Sequence, residues 1–447
     1  MTDPLRSLDI STKLERIAKL AKSMPDASLM TLAHHMDVNW LREAYRRTRK
    51  DGAVGVDGQS AKEYRGKLAE NLQSLLDRAK SGRYWAPPVR RVHIPKGEGK
   101  ETRPIGIPTF EDKVLQRAVA MVIGEVYEQE FHDFSYGFRP GRSAHQALRA
   151  IQTAAWRMGG GWLVEVDIRK FFDTVEHAHL REILRRRIGD RVLLRLIGKW
   201  LNAGVVEGLV LSHPDEGTPQ GGVISPLLAN IYLHDVLDEW FVKAVRPALG
   251  GVAEMVRYAD DFVVLFSSKD DARRFLEVLP KRFGKYGLAL HPDKTRMVPF
   301  RRPDLVRGDE DLPGTFNFLG FTHYWGTGRR REPTEGPSTK RWFPKQRTAK
   351  DRLSRTLRRL DEWCRLHRHD PLKTQHLALV RKLEGHYSYY GITGNFPAIQ
   401  KVLHMARRIW RKALARRSQQ RLPWDKMARI LERFPLPAPR IVHRYGA

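Results

Sequence analysis

Two adjacent carboxylates, Asp260 and Asp261, lie inside the run Val256-Arg257-Tyr258-Ala259-Asp260-Asp261-Phe262-Val263-Val264-Leu265-Phe266. Apolar and β-branched residues on both sides predict two short strands with the acids near their turn. Solvated charge pairs usually sit in Gly/Ser/Asn-rich loops, whereas this pair sits in a stretch that favours burial. Like charges in an apolar setting repel, and desolvation adds to the cost. A divalent cation is the simplest compensation, and paired Asp residues can hold one or two Mg²⁺ ions for phosphoryl transfer. For the dipeptide alone, an Asp-Asp turn between surface strands is the commoner arrangement.

A third acid has a related setting. Trp162-Leu163-Val164-Glu165-Val166-Asp167-Ile168 reads as a strand, with Glu165 and Asp167 on one side and Val164, Val166 and Ile168 on the other. Asp167 falls near the strand end, just before Phe171-Phe172-Asp173, where the chain opens enough for a carboxylate to reach a metal. An Asp that merely terminates a strand is equally common.

Cations appear in a predicted hairpin. Arg90-Arg91-Val92-His93-Ile94-Pro95-Lys96 alternates, 97–102 is a turn, and Arg103-Pro104-Ile105-Gly106-Ile107-Pro108 returns. Lys96 and Arg103 near its tip could grip a triphosphate; on local evidence alone an ordinary solvated hairpin is the better explanation. Neither this Gly-Lys stretch nor the glycine-rich turn at 52–58 has the spacing of a nucleotide-binding loop. Phe134-Ser135-Tyr136-Gly137-Phe138-Arg139-Pro140-Gly141-Arg142-Ser143 interleaves rings with Arg and Gly, a mixture that stacks bases and binds phosphates, or else a loop pinned by buried rings. Gly217-Thr218-Pro219-Gln220-Gly221-Gly222-Val223-Ile224-Ser225-Pro226 is a turn entering a helix, where backbone N–H groups could approach a ligand.

Other elements must position these groups. Helices are expected over 13–21, where Ser11-Thr12 would cap, over 111–128, after Ser143, over 180–201 and 271–283, and over 349–363 and 399–414. Phe316-Asn317-Phe318-Leu319-Gly320-Phe321 reads as a short strand. His291 and His323 are isolated and expected to be structural. The Gly/Pro/Arg/Thr composition of 326–344 marks a linker. Beyond it, helices carry apolar positions such as Ile399, Val402, Ala406, Ile409 and Trp410 on one face and Lys401, Arg407, Arg408, Arg411 and Lys412 elsewhere, a platform for nucleic acid.

The totals agree. A chain of 447 residues is expected to form two or three domains, and 41% hydrophobic content builds real cores. Lys+Arg number 80 against 51 Asp+Glu, a formal charge of +29 that favours a polyanionic partner. The basic residues are spread along the chain, which disfavours an amphipathic membrane helix. No apolar stretch is long enough for a membrane span, and no secretory signal is apparent. Cys364, the single cysteine, excludes a disulfide within the chain and fits a cytoplasmic setting.

In order, these stretches resemble the reverse transcriptases encoded by bacterial group II introns, the RT-maturases. The matching pieces are Ile94-Pro95-Lys96 with Arg103-Pro104-Ile105-Gly106-Ile107-Pro108, Ser135 through Ser143, Asp167-Ile168 with Phe171-Phe172-Asp173, and Thr218-Pro219-Gln220-Gly221-Gly222. Tyr258-Ala259-Asp260-Asp261, Lys294-Thr295 and Phe318-Leu319-Gly320-Phe321 follow. Gly385-His386-Tyr387-Ser388-Tyr389-Tyr390-Gly391 and Pro439-Arg440-Ile441-Val442-His443 resemble the family's thumb and maturase region. Many relatives carry a C-terminal Cys/His-rich DNA endonuclease, which this chain, with Cys364 alone, is expected to lack.

The resemblance implies an α+β right-hand polymerase: a helical N-terminal extension (1–53), fingers and an antiparallel palm (54–325), the linker (326–344), and an α-helical thumb/maturase domain (345–447). It implies attack of a primer 3′-OH on the α-phosphate of a dNTP, with two Mg²⁺ ions (Mn²⁺ as a substitute) held by Asp167, Asp260, the looser Asp261, and the carbonyl of Ile168. Lys96 and Arg103 would hold the triphosphate, Gln220 would lie against the nucleotide, and Phe172 would be the steric gate against a ribose 2′-OH. Implied partners are an intron RNA template, a DNA primer or target, and dNTPs. The alternatives are a maturase acting mainly as an RNA-binding splicing factor, and a reverse transcriptase recruited to phage defence or another host function.

Overall fold

A computed structural model describes residues 4–95, 102–207, 210–212, 221–306, 312–329, 340–418 and 420–444. The architecture is mixed α+β. In chain order the strands are β1 (Val89–Pro95), β2 (Thr102–Ile107), β3 (Trp162–Asp167), β4 (Val205–Glu207), β5 (Val210–Ser212), β6 (Ala253–Tyr258), β7 (Asp261–Phe266), β8 (Arg296–Pro299), β9 (Phe316–Phe318), β10 (Phe321–Arg329) and β11 (Lys340–Thr348). They form three sheets, ordered β2-β1-β4-β5, β6-β7-β3-β8 and β11-β10-β9. The chain divides into two compact units, Met1–Ala147 with Val164–Arg296, and Leu148–Leu163 with Met297–Ala447.

In the first unit, the helix Phe110–Tyr127 is the central element. Val114, Leu115, Ala118, Val119, Val122 and Ile123 have no exposed surface, so it is apolar nearly all round. Each such Val, Leu or Ile side chain contributes roughly 1.5–3 kcal/mol on burial. Trp40, on the helix Val38–Arg47, donates its indole N–H to the Ala118 carbonyl (2.9 Å) and ties the N-terminal region to that core. The predicted hairpin of 90–108 forms as β1 and β2, antiparallel, with Ile94 opposite Arg103. Lys96 and Gln220 lie outside the described residues. The Asp-Asp hairpin forms as β6 and β7, with Tyr258 opposite Asp261. Phe262 through Phe266 are buried, and Phe266 and Phe262 pack on Phe275 and Phe283 of the helix Lys269–Gly284.

In the second unit, Leu379, Leu383, Ile399, Val402 and Trp410 form the core of four helices, Lys350–Leu366, Leu372–Tyr390, Phe396–Ser418 and Trp424–Arg433. Cys364 lies in that core, where burial pushes its thiol up to about 12. His323 is buried against Phe316, and desolvation lowers it to about 3, so its ring packs as a neutral group.

Three expectations change. The first helix is Pro4–Ser23, running through Ser11-Thr12. A hydroxyl residue caps only where the helix begins, and Pro is compatible with a first turn. The helical stretch 180–201 is two helices, His177–Arg187 and Arg191–Leu201. Asp190 breaks it: its carboxylate accepts the N–H groups of Val192 and Leu193, capping the second helix, and also those of Leu32 and Ala33. In the stretch 326–344, both flanks extend strands: β10 runs to Arg329 and β11 starts at Lys340, paired throughout from Phe321↔Thr348 to Arg329↔Lys340. Residues 330–339 lie outside the described residues. Glycines at 326 and 328 disguised a strand whose other positions carry Tyr324 and Trp325. Among the described residues, no helix is long and apolar enough to cross a membrane.

Candidate active site

The turn joining β6 to β7 carries Ala259 and Asp260. Ala259 is buried with φ 57, a left-handed conformation costly for a residue with a Cβ. The surroundings hold it there. The Arg257 guanidinium, wholly buried, donates to both oxygens of Asp238 (Nε–Oδ1 2.8 Å), to Asn230 Oδ1 (3.0 Å) and to the Ala259 carbonyl (3.0 Å). Asn230, on the helix Ser225–Leu233, donates to the Gly137 carbonyl (2.6 Å). The ring-rich loop closes the frame: Arg257 N donates to Phe134 O and Tyr136 N donates to Arg257 O. At Gly137 a Cβ would stand 2.3 Å from the Ala259 nitrogen, so only glycine fits. That loop presents Phe138, 60% exposed at φ 56, with its ring 6.3 Å from that of Tyr258.

Asp167 ends β3. Its carbonyl accepts the His291 N–H (2.8 Å), and Lys294 Nζ donates to its Oδ2 (3.2 Å). The Asp167 side chain is 42% exposed, so this ion pair is a weak, solvated one. Ile168 is buried and bridges Leu290. Burial raises the Asp260 carboxyl above the ordinary range, and the charge of Asp167 raises it further, while Arg103 and Arg257 oppose the rise. Asp167, Asp260 and Arg103 therefore share one electrostatic neighbourhood. Asp261, the first residue of β7, is exposed.

The nucleotide-contact candidates fall as follows. Arg103 is exposed on β2. Gly221, at φ +115, lies so close to β2 that a Cβ would come within 2.5 Å of Gly106 O. Gly221, the residue that follows Gln220 in sequence, thus meets the strand carrying Arg103. Phe172 is half-buried and packs edge-on against Phe171 at 5.4 Å. Phe171 is buried against Tyr232.

Sequence reasoning missed Asp238 and Asn230 as partners of Arg257. One signal was present: an arginine inside a run that favours burial needs an acid, and Asp238 precedes it on the same chain segment. A desolvated carboxyl beside a second acid suits a divalent cation, because each acid alone raises the cost of ionising the other. Carboxylate oxygens are the donor type that Mg²⁺ prefers, but among the described residues Asp167, Asp260 and Asp261 are not gathered within 4.8 Å of one another.

The pattern of the family described as reverse transcriptase (RNA-dependent DNA polymerase) matches residues 94–323. The chain is 36% identical to Protein YkfC of Escherichia coli (strain K12) over 332 residues, 64% of this chain and 84% of that one. It is 29% identical to the group II intron-encoded protein LtrA of Lactococcus lactis subsp. cremoris over 460 residues, covering 86% of this chain and 74% of LtrA. Over 241 residues it is 33% identical to an uncharacterized 91 kDa protein in the cob intron of Schizosaccharomyces pombe, covering 53% of this chain and 29% of that one.

Proposed function

Because this chain belongs to the reverse transcriptase family, in its group II intron-encoded branch, we propose that Asp167, Asp260 and Asp261 are the carboxylates through which it copies RNA into DNA. Its activity is RNA-directed DNA synthesis. On this reading the β1–β2 hairpin belongs to the fingers, β3, β6 and β7 belong to the palm, and the helices within 345–447 form the thumb and maturase region. Residues 1–53 are an N-terminal extension.

The observation that carries the reading is the environment of Asp260, half-buried, whose carboxyl is raised by burial and by the charge of Asp167 while Arg103 opposes the rise. Two Mg²⁺ ions, or Mn²⁺ in their stead, would be held by Asp167, Asp260, Asp261 and the Ile168 carbonyl, and would there acidify a primer 3′-OH and neutralise a triphosphate. Asp167 and Asp260 are the main ligands and Asp261 the looser one, in line with its exposure. Arg103, with Lys96, pairs with the triphosphate of an incoming dNTP through charge-assisted hydrogen bonds. Gln220 lies against that nucleotide. Phe172 blocks a ribose 2′-OH. Arg257 fixes the Ala259 carbonyl and so the direction in which Asp260 points.

Primer extension on an RNA template with Mg²⁺, with and without EDTA, tests the assignment. Asp260→Asn should lower extension by at least about a thousandfold, the rate equivalent of several kcal/mol, while RNA binding persists. Full residual synthesis by the variant would refute it.

A second reading, that the protein also folds intron RNA as a maturase, rests on the helix Phe396–Ser418. Val402, Ala406, Ile409 and Trp410 are buried, whereas Lys401, Arg407, Arg408, Lys412, Arg416 and Arg417 are exposed. Such a face binds phosphate, and RNA affinity should fall steeply with salt. Intron RNA is then the specific partner, with a DNA primer or target engaged during synthesis. Splicing promoted by Asp260→Asn would separate this role from polymerisation; loss of splicing alongside intact RNA binding would remove it.

A further inference from the structure

Beyond the polymerase carboxylates, we propose that His132, His234 and Glu239 form a site for a divalent transition metal of the Zn²⁺ class. His132 Nε2 lies 2.8 Å from Glu239 Oε1, and His234 Nε2 lies 3.9 Å from the same oxygen. One ligand atom from each residue falls within 4.8 Å of the other two. Two imidazoles and a carboxylate are a donor set that Zn²⁺ takes in tetrahedral sites, with a fourth position open, whereas Mg²⁺ prefers oxygen alone.

The backbone is shaped for the cluster. After the helix Ser225–Leu233 the chain continues as a π-helix over His234–Glu239. In an α-helix, residues five apart diverge by about 140° around the axis. The wider π turn, closed by i→i+5 bonds, stacks them, and so His234 and Glu239 face one side together. His132 arrives from the loop after the central helix, stacked on Phe134 at 5.1 Å, while Phe131 packs edge-on to His234 at 5.4 Å.

The surrounding shell also suits a ligated ion. His234 is 8% exposed, and its Nδ1 has no hydrogen-bond partner. That nitrogen lies 3.8 Å from Asp238 Oδ2, beyond hydrogen-bond length but a small shift away from the carboxylate–histidine contact that orients metal-bound imidazoles. Lys243 pairs with Oε2 of Glu239, leaving Oε1 toward the histidines. Asp238 in turn holds Arg257, which holds the Ala259 carbonyl. Occupancy of the site therefore braces the turn that carries Asp260.

The test uses tag-free, chelator-treated full-length protein in buffer with excess Mg²⁺. Zn²⁺ titrated by calorimetry should bind at one equivalent and raise the unfolding temperature. His132→Gln and Glu239→Gln should each weaken that binding at least tenfold, and Asp260→Asn should leave it unchanged. Zn-edge X-ray absorption on the loaded wild type should show imidazole scattering. An oxygen-only shell, equal affinity in the two site variants, or loss of binding in Asp260→Asn alone would overturn the proposal. The X-ray absorption result stands even where a variant fails to fold.

Discussion

Arg257 and Asp238 form an ion pair in which neither side chain reaches solvent. Both charges are desolvated, and the pair holds because three further acceptors and donors complete it: Asn230, the Ala259 carbonyl and the Gly137 carbonyl beyond Asn230. Removing one partner leaves the other charge buried without compensation. Asp238→Asn keeps the shape and deletes the charge. It should destabilise the protein by about 3–5 kcal/mol in denaturant unfolding. Extension should also slow at temperatures where the variant remains folded, because Arg257, the anchor of the Ala259 carbonyl, loses the carboxylate that holds it.

A second prediction concerns backbone contact. Gly137→Ala would place a methyl 2.3 Å from the Ala259 nitrogen and 2.9 Å from the Tyr258 carbonyl carbon. Both are backbone atoms of the turn, so the hairpin itself must move, and primer extension should drop by tenfold or more. Gly385→Ala is the control. It sits inside the helix Leu372–Tyr390 with nothing within 4 Å of the added carbon, and should leave extension unchanged while stabilising the helix by up to about 1 kcal/mol. Equal effects of the two changes would show that the close approach at Gly137 is unimportant.

Phe172 provides a test of sugar selection. Its ring leans on Phe171, which is fixed by Tyr232, and remains partly exposed beside the end of β3. A ring so supported cannot easily swing aside for a 2′-OH. Phe172→Ala should therefore raise ribonucleotide incorporation relative to dNTP by about tenfold or more, in the range that pocket shape alone can discriminate. Single-nucleotide extension with matched dNTP and rNTP measures it, and an unchanged ratio removes Phe172 from the gate.

These sites differ in how visible they were beforehand. The β6–β7 hairpin was legible because the apolar, β-branched run Val263 to Phe266 favours a buried strand and the acids interrupt it near a turn. The central helix was legible from Val114, Ala118, Val122 and their neighbours, whose spacing repeats with the helical period. The partnership of Arg257 with Asp238 was only half legible: an arginine in a buried run signals the need for an acid, but a side-chain pair 19 residues apart leaves no local pattern to say which. The break at Asp190 was not legible, since its carboxylate is recruited by Leu32 and Ala33 from far up the chain. The strand β10 was hidden by glycines that composition assigns to a linker. Local periodicity survives in sequence; contacts set by tertiary packing do not.

The last prediction uses a buried acid away from the proposed site. Asp112 accepts hydrogen bonds from the Tyr84 hydroxyl and from Trp200 Nε1 (2.9 Å). Burial raises its carboxyl to about 6 even though both bonds favour the ionised form. In the unfolded chain an aspartate titrates near about 3.9. Between these values the native state binds more protons than the unfolded one, so this group makes stability fall as pH rises from about 4 to about 6. Above that range its contribution is constant, a penalty of about 3 kcal/mol for charging a desolvated acid. Asp112→Asn retains an acceptor oxygen for Trp200 and carries no charge at any pH. The stability of the variant relative to the wild type should therefore climb by about 3 kcal/mol between pH 4 and pH 7, read from urea midpoints at each pH. A difference independent of pH would mean that Asp112 ionises in the folded protein as readily as in the unfolded chain.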